Sequence, residues 1–176
     1  VALRLRSAGP ADAAALAALH LASWRDAYRG VLDDAFLDGP LEAILAAHWP
    51  AMLAPPRRQG AVVLASIAGE PAGFVAVWRY GRVAHIDNLH VRPGLRGAGI
   101  GRALLVHALR RMQARGCVAA DLLVFARNAG ALRFYRALGA EVGPEHLGET
   151  FGQRVAEHRC AWADIAALIA AAERRS

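Results

Sequence analysis

The sequence predicts one α/β (α+β) domain in which helices cover both faces of a mixed sheet. The length of 176 residues fits a single domain, because domains usually contain about 100–200 residues. An apolar content of 56% with 20% charged residues is typical of globular proteins. Segments with helical and strand-like periodicity alternate along the chain, which favours a layered arrangement. We therefore expect one domain over residues 1–176, with residues 164–176 as a C-terminal helix.

A short edge strand and a helix are predicted at the N-terminus. Residues Val1–Arg6 alternate apolar and charged side chains, which is the pattern of a half-exposed strand. Asp12 is a suitable cap for the next helix, which we expect to run to Trp24 or Tyr28. A weaker helical stretch is expected to begin at Asp33.

A second helix and a three-stranded meander are predicted next. Residues 41–53 place apolar side chains three and four apart, as in an amphipathic helix, and Pro55 and Pro56 are expected to end it. The turn between the first two strands is expected at Gly69-Glu70-Pro71. The three strands are expected at Ala61–Ile67, Ala72–Tyr80 and Val83–Val91.

Helices and strands alternate in the second half of the chain. Gly116 and Gly139 are placed to end two of the helices, because glycine readily adopts the left-handed conformation found at helix ends. The expected elements are a helix over Ile100–Arg115, a buried strand over Val118–Phe125, a helix from Asn128 to Leu138, a strand over Arg154–Trp162 and a helix capped by Asp164.

The positive charge comes from arginine alone and is concentrated in one segment. All 21 cationic side chains are arginine, so the sequence excludes a P-loop lysine, a Schiff-base lysine and a lysine general base. The chain has a formal net charge of +6, whereas residues 88–140 contain nine arginines and one acid, Asp121, for a net charge of +8. This clustering predicts that the segment binds an anionic group.

Other sequence features disfavour several classes of protein. Cys117 and Cys160 lack CxxC spacing, which argues against a disulfide framework or a zinc site; we expect no metal and a cytoplasmic location. No stretch reaches the roughly 18–20 uncharged apolar residues of a membrane span. The N-terminus lacks the pattern of a signal peptide. The absence of basic runs and of interleaved aromatic and basic residues argues against nucleic-acid binding.

The glycine-rich segment Arg96–Arg102 is the sharpest chemical feature. It lies between a predicted strand and a predicted helix, where glycines let the backbone approach an anion and a helix N-terminus offers unpaired N–H groups. Arg96 and Arg102 add positive charge at its rim. The segment reads G-x-G-x-G, which departs from the dinucleotide fingerprint, and no Gly-Lys-Ser/Thr follows it. A diphosphate cradle and a ligand-free connection are both compatible with the glycines.

The pattern R-x-x-G-x-G at Arg96–Gly101 resembles the acetyl-CoA signature of the GNAT N-acetyltransferase superfamily. The segment from Asn128 to Gly139 is similar to the second conserved block of the same family, and the order of strands matches from about Leu3 to Trp162. The resemblance implies a mostly antiparallel sheet with splayed central strands. It also implies direct transfer of the acetyl group of acetyl-CoA to an amine of a small molecule or a protein, by a monomer or homodimer.

The resemblance assigns a cofactor role to several positions and an acid role to Tyr135, which would protonate the departing thiolate. Asn128 is also a good helix cap, and Tyr135 is also compatible with a purely apolar helix face. The positions implied to contact acetyl-CoA are Leu89, His90, Val91, Arg96, Gly97, Ala98, Gly99, Ile100, Gly101, Arg102 and Asn128.

The general base and the acceptor pocket are less sharply indicated. His85 and Asp87 are two residues apart on one predicted strand and share a face, so either is a candidate base, while His90 is expected on the opposite face. Trp24 and Tyr28 share a helix face and are candidates for an acceptor pocket or for the core. With no strong base, a catalytically idle acyl-CoA sensor is the alternative function.

Overall fold

The computed structural model describes residues 2–54 and 59–174, which form one eight-stranded sheet with helices on both faces. This confirms the predicted α/β architecture. The elements in chain order are β1 (Leu3–Ser7), α1 (Ala13–Ala27), α2 (Asp34–Asp38), α3 (Pro40–Leu53), β2 (Gly60–Ile67), β3 (Glu70–Tyr80), β4 (Val83–Val91), α4 (Ile100–Ala114), β5 (Ala119–Phe125), α5 (Ala129–Ala137), β6 (Glu141–Val142), β7 (His146–Thr150), β8 (Gln153–Trp162) and α6 (Ile165–Glu173).

The sheet is antiparallel except at its centre. The strand order is β1-β2-β3-β4-β5-β8-β6, and β7 also pairs with β8. The one parallel pair among the described strands is β4 with β5, and it extends only over Val83–His85 and Ala119–Asp121. The two strands therefore separate toward their C-terminal ends, as the splayed arrangement requires.

The sheet separates the core into two layers, and helices cover each layer. On one face of the sheet, α4 and α6 cover a cluster that includes Leu104, Leu109 and Leu122. On the other face, α1 and α3 cover Phe74 and Trp78 of β3, and Trp49 of α3 packs in the same cluster. We call these the α4 face and the α1 face.

A β-bulge at Asp87 changes which side chains reach each face. Val77 pairs with Ile86 and Ala76 pairs with Asn88, so Asp87 is an extra residue in β4. Before the bulge His85 lies on the α1 face, and after it His90 lies there too, stacked on α1. The expectation that His90 faces away from His85 is therefore wrong, because one inserted residue reverses the alternation of the strand.

The turn between β2 and β3 differs from its predicted position. Ile67 pairs with Glu70, so the loop is Ala68-Gly69, and Pro71 lies within β3. Both loop residues have positive φ, +54° and +87°, as the tight turns of two-residue hairpins require.

Of the three helix caps predicted from the sequence, two are confirmed. Asp12 precedes α1, but its carboxylate binds Arg6 at 2.7 Å and the backbone N–H of Gly9 instead of capping the helix. Asn128 and Asp164 do cap α5 and α6, at 3.2 and 2.8 Å. The predicted helix end at Pro55-Pro56 lies outside the described residues.

Two strands, β6 and β7, were not predicted from the sequence. They cover Glu141–Val142 and His146–Thr150, and both pair with β8 along one edge. β6 has only two residues, and β7 is mostly polar and contains Gly148, so neither shows the alternation that marks a strand. Hydrogen bonding to the longer β8 stabilises both strands, although their own sequences do not predict them.

Residues 2–54 and 59–174 contain no helix long and apolar enough to span a membrane. Within the same residues, no group of three or more His, Cys, Asp or Glu side chains is arranged to hold a metal ion. Cys117 and Cys160 are both buried and free.

The close approach of β3 to β4 gives a stability prediction. A Cβ on Gly73 would lie 2.7 Å from the carbonyl oxygen of His90, so Gly73→Ala should lower the free energy of unfolding by about 1–3 kcal/mol. In Gly101→Ala the new Cβ meets its nearest neighbours at 3.8 Å, so this helical substitution should be neutral or stabilising. Urea unfolding of both variants measures the difference, and equal midpoints would contradict the prediction.

Candidate functional site

A cleft of about 1840 Å³ opens where β4 and β5 diverge. It is lined by the C-terminal halves of these strands, the start of α4, one face of α5 and the second half of α1. Most of the site residues predicted from the sequence line it. The two that do not are Ile100, whose side chain is buried in the core beneath α4, and His85.

The glycine-rich segment forms one end of the cleft. Gly97 and Gly99 have φ of +84° and +80°, and Gly99 is the residue from which α4 begins. The first turn of α4 therefore presents N–H groups that have no acceptor within the helix, at the positive end of the helix dipole. A Cβ at Gly97 or Gly99 would project into open space, so the positive φ is what requires glycine there. This geometry fits an anionic group such as a diphosphate.

Arginines surround this end of the cleft and already have protein partners. Arg96 binds Asp26 of α1 at 2.5 Å, with both side chains about half exposed. Arg102 donates to the carbonyl of Ala171 at the end of α6, at 3.0 Å. The Arg110 guanidinium binds Glu173. The predicted positive segment is thus partly neutralised by α1 and α6, which places those two helices at the rim of the cleft.

Tyr135 and Asn128 form the α5 wall. Tyr135 is 8% exposed, and burial raises the pKa of its hydroxyl well above the ordinary value, with neighbouring Tyr28 and Cys160 acting in the same direction. The group therefore holds its proton at neutral pH. Asn128 uses its side-chain oxygen to cap α5, which leaves its amide nitrogen for Tyr28; that contact opposes the burial that raises the Tyr28 pKa.

Trp24 and Tyr28 form an aromatic wall on α1. Their rings meet edge to face at 5.3 Å, and Tyr28 packs on Phe125 of β5 at 4.7 Å. Both residues line the cleft and both also pack against the cluster of buried residues beneath α1 and α2. The two roles left open by the sequence, pocket wall and core, are therefore compatible in this structure.

Asp87 lines the cleft on the same face of β4 as His85. Its side chain is exposed there, and its Oδ2 accepts hydrogen bonds from Trp78 Nε1 and Asn88 Nδ2, both at 3.0 Å. Trp78 is buried on the α1 face, so the carboxylate is anchored to the core on one side and open to the cleft on the other.

His85 belongs to a separate polar group. Its Nδ1 lies 2.8 Å from Oδ1 of Asp121, whose other oxygen accepts two bonds from Arg159. Because a carboxylate only accepts, Nδ1 carries the proton and a neutral His85 keeps its lone pair on Nε2. His85 still pairs with Asp121 in the parallel ladder, whereas Asp87 lies beyond the point where β4 and β5 separate and lines the cleft.

His90 lies behind Asp87 in a buried network. Its Nδ1 is 2.9 Å from Ser23 Oγ and its Nε2 is 3.3 Å from Asn88 Oδ1. Its ring stacks on His20 at a centroid distance of 4.8 Å. Burial, with a smaller effect from the charge of Arg96, lowers the pKa of His90 to about 3, and burial also lowers the pKa of His20.

Some residues of the site were missed by sequence reasoning. Glu149 and Glu157 line the cleft opposite α4, and Glu157 is 8% exposed with His146 as a partner at 3.1 Å. The sequence contained a signal for Glu157. It lies two residues after Val155 in β8, so the alternation of the strand places both side chains on the same buried face. Asn88 and the bulge were also missed, although the adjacent polar residues Asp87 and Asn88 were a signal for an irregularity in β4.

The sequence profile of the Acetyltransferase (GNAT) family matches residues 18–140. An aminoglycoside N(6')-acetyltransferase type 1 of Stenotrophomonas maltophilia is 34% identical over 149 residues, covering 78% of this chain and 85% of that protein. An uncharacterized N-acetyltransferase of Methanocaldococcus jannaschii is 36% identical over 92 residues, and the match spans 48% of this chain but only 41% of that longer relative.

The fold is similar to that of solved structures. The PaiA N-acetyltransferase from Thermoplasma acidophilum, in complex with coenzyme A, superposes with a TM-score of 0.75 at 18% identity, covering 90% of this chain and 98% of that one. At this identity the likeness concerns the arrangement of helices and strands.

The buried histidines predict a loss of stability in acid. The unfolded chain protonates His90 near pH 6.5, whereas the folded protein does so only near pH 3, so stability is present above pH 6.5 and falls as the pH drops toward 3. We expect His90 alone to reduce the free energy of unfolding by about 2 kcal/mol between pH 7 and pH 5. Urea unfolding at several pH values measures this slope.

The matched variant is His90→Phe, which lacks the titrating group. Its unfolding free energy should depend less steeply on pH than that of the unmodified protein over pH 5–7. Parallel slopes in the two proteins would show that His90 titrates normally and contradict the prediction.

Proposed function

Because this chain belongs to the Acetyltransferase (GNAT) family, we propose that it transfers the acetyl group of acetyl-CoA directly to a small-molecule amine that carries additional positive charge. The observation that carries this proposal is one cleft lined both by the glycine-rich loop before α4 and by the carboxylates of Asp87, Glu149 and Glu157. Both substrates would then be held together, so that proximity supplies much of the rate.

The cofactor end has the features needed to hold acetyl-CoA. The N–H groups of residues 97–102 would bind the pyrophosphate, and Arg96 and Arg102 would compensate its charge. The edge of β4 that faces β5 has no described strand partner after His85, so the backbone of residues 89–91 is available on that edge to pair with the pantetheine arm. Asn128 would bond the same arm. Acetyl-CoA would supply an acetyl group activated as a thioester.

The acceptor end favours a cationic amine. Asp87, Glu149 and Glu157 line this part of the cleft, beside the aromatic wall of Trp24 and Tyr28. Carboxylates attract ammonium groups, and aromatic faces interact favourably with cations. The aminoglycoside named for the Stenotrophomonas maltophilia relative is a small molecule with several amino groups, which supports the same class of acceptor here.

Two side chains have suitable positions for the proton transfers. Asp87 would accept the proton of the attacking amine directly or through a water, because its carboxylate is exposed in the cleft. Tyr135 would donate its proton to the departing thiolate as the carbon–sulfur bond breaks, because burial keeps its hydroxyl protonated. His85 stays a second candidate base; its pairing with Asp121 orients its Nε2 lone pair.

The proposal predicts that acetyl-CoA stabilises the folded protein. At a concentration about 100 times its dissociation constant, a ligand that binds only the native state adds ~2.7 kcal/mol to the free energy of unfolding. The thermal midpoint should therefore rise by several degrees. An unchanged midpoint at saturating acetyl-CoA would overturn both the transferase and the sensor hypotheses.

Gly97→Val and Gly94→Val make a matched pair for this measurement. Both glycines have positive φ, +84° and +87°, so each substitution strains the backbone similarly, but only Gly97 lines the cleft. We expect both variants to melt earlier without ligand, and only Gly97→Val to lose the acetyl-CoA shift. Equal shifts would argue against the loop as the cofactor site.

The acid role of Tyr135 predicts a loss of turnover in Tyr135→Phe. Free-thiol release should be followed with amines carrying one to several positive charges, including spermidine and kanamycin. We expect kcat to fall about 100-fold or more with the KM of acetyl-CoA little changed, since general acid catalysis contributes a factor of this order. Tyr80→Phe is the control, because Tyr80 is 57% exposed and does not line the cleft.

The same assay separates the transferase from the idle sensor. A sensor would show the acetyl-CoA shift but release no thiol with any amine. Unchanged turnover in Tyr135→Phe would remove the acid role while leaving the transferase activity in place.

A further inference from the structure

We propose that Asn88, His90 and Ser23 form a hydrogen-bonded positioning chain that fixes the carboxylate of Asp87 toward the acceptor amine. This inference rests on the proposed function, because it assigns Asp87 the role of base. All three residues line the cleft, but their side chains need not contact the amine. They act on the reaction through the orientation of Asp87.

The direction of each hydrogen bond in the chain follows from the carboxylate. Asp87 accepts only, so the group of Asn88 that faces it is the amide Nδ2, at 3.0 Å. The Asn88 oxygen then faces His90 Nε2, at 3.3 Å, and this nitrogen must carry the proton. His90 Nδ1 is left as an acceptor for the hydroxyl of Ser23, at 2.9 Å. One orientation of each group satisfies the whole chain.

The chain is held in place by burial and by ring contacts. Ser23 and Asn88 are 3% and 9% exposed. The His90 ring stacks on His20 at 4.8 Å and contacts Phe74 in a tilted arrangement at 5.3 Å. Because burial keeps the ring uncharged, the chain consists of neutral groups that end on one charged oxygen. Buried polar groups that are fully satisfied restrict the surrounding side chains to one arrangement.

As a consequence, the two carboxylate oxygens of Asp87 have different hydrogen-bonding environments. Asn88 and Trp78 both donate to Oδ2. Among the described residues no group donates to Oδ1, and the side chain is exposed in the cleft. Oδ1 is therefore the atom available to the amine, and the chain behind Asn88 prevents the carboxylate from rotating away.

A double-mutant cycle tests the coupling, with spermidine and kanamycin as probe amines. His90→Phe keeps the ring and its stacking but removes both hydrogen bonds. We expect kcat/KM for the amine to fall about tenfold, which is within the range of coupling between contacting residues, while the KM of acetyl-CoA stays within about twofold. His90→Gln retains a donor toward Asn88 and should recover most of the loss.

The decisive comparison uses Asp87→Asn as the background. If His90 acts only through Asp87, adding His90→Phe to Asp87→Asn should change kcat/KM by less than about twofold. A purely structural role would give the same loss in both backgrounds, and that additive result would overturn the proposal.

The tautomer of His90 gives a second test that does not require turnover. In ¹⁵N-histidine-labelled protein, the NMR signals of His90 should show a neutral ring protonated at Nε2 near pH 7. A ring protonated at Nδ1 would overturn the chain, because Asn88 and Ser23 would then lose the directions described above. This measurement uses the unmodified protein, so the proposal can be tested even if the variants do not fold.

The outcomes distinguish this inference from the proposed function. If acetyl-CoA does not bind, or if Asp87→Asn keeps full activity, the proposed function or its base is wrong, and the chain has no catalytic group to position. If acetyl-CoA binds and Asp87→Asn loses activity while His90→Phe does not, only the positioning chain is wrong.

Discussion

The short parallel ladder between β4 and β5 is the constraint on which the rest of the site depends. The two strands pair only over Val83–His85 and Ala119–Asp121 and then separate. Backbone groups beyond this point lose a strand partner in the middle of a sheet, which is unfavourable unless another polar group or water replaces it. The elements that surround the gap are α1, the start of α4, and α5, and together they turn it into a walled cleft. The unpaired strand edge, the loop glycines and Tyr135 meet there for that reason.

The bulge at Asp87 adds a second constraint on the same strand. In a regular strand Asp87 and Asn88 would point to opposite faces, and one of them would be buried against α4. The inserted residue directs both toward the α1 face, where Trp78 and the His90 network supply hydrogen bonds. Leu89 and Val91 consequently pack toward the α4 core, so the strand keeps an apolar side while presenting a carboxylate to the cleft.

Charge is distributed along the cleft according to the element that contributes it. The arginines that line the cleft come from the loop before α4, from α4 and from α5, while β4, β7 and β8 contribute Asp87, Glu149 and Glu157. Several arginines are already paired with α1 or α6, for example Arg96 with Asp26. The cleft is therefore lined by both arginines and carboxylates. Such a lining can attract anionic and cationic groups within one cavity.

The sequence by itself determined the elements with strong periodicity and the glycine-rich loop before α4. Residues 41–53, 100–115 and 83–91 carry enough apolar pattern to specify their conformation locally, and the glycines at 97 and 99 report a backbone with positive φ. The tertiary structure alone decided the strands β6 and β7, the hairpin loop at Ala68-Gly69, the side of the sheet that His90 faces, and the separation of His85 from the cleft. These features depend on pairing and register with distant strands. A single inserted residue reverses every later side chain of a strand, and periodicity read along one segment does not contain the partner that fixes where the insertion occurs.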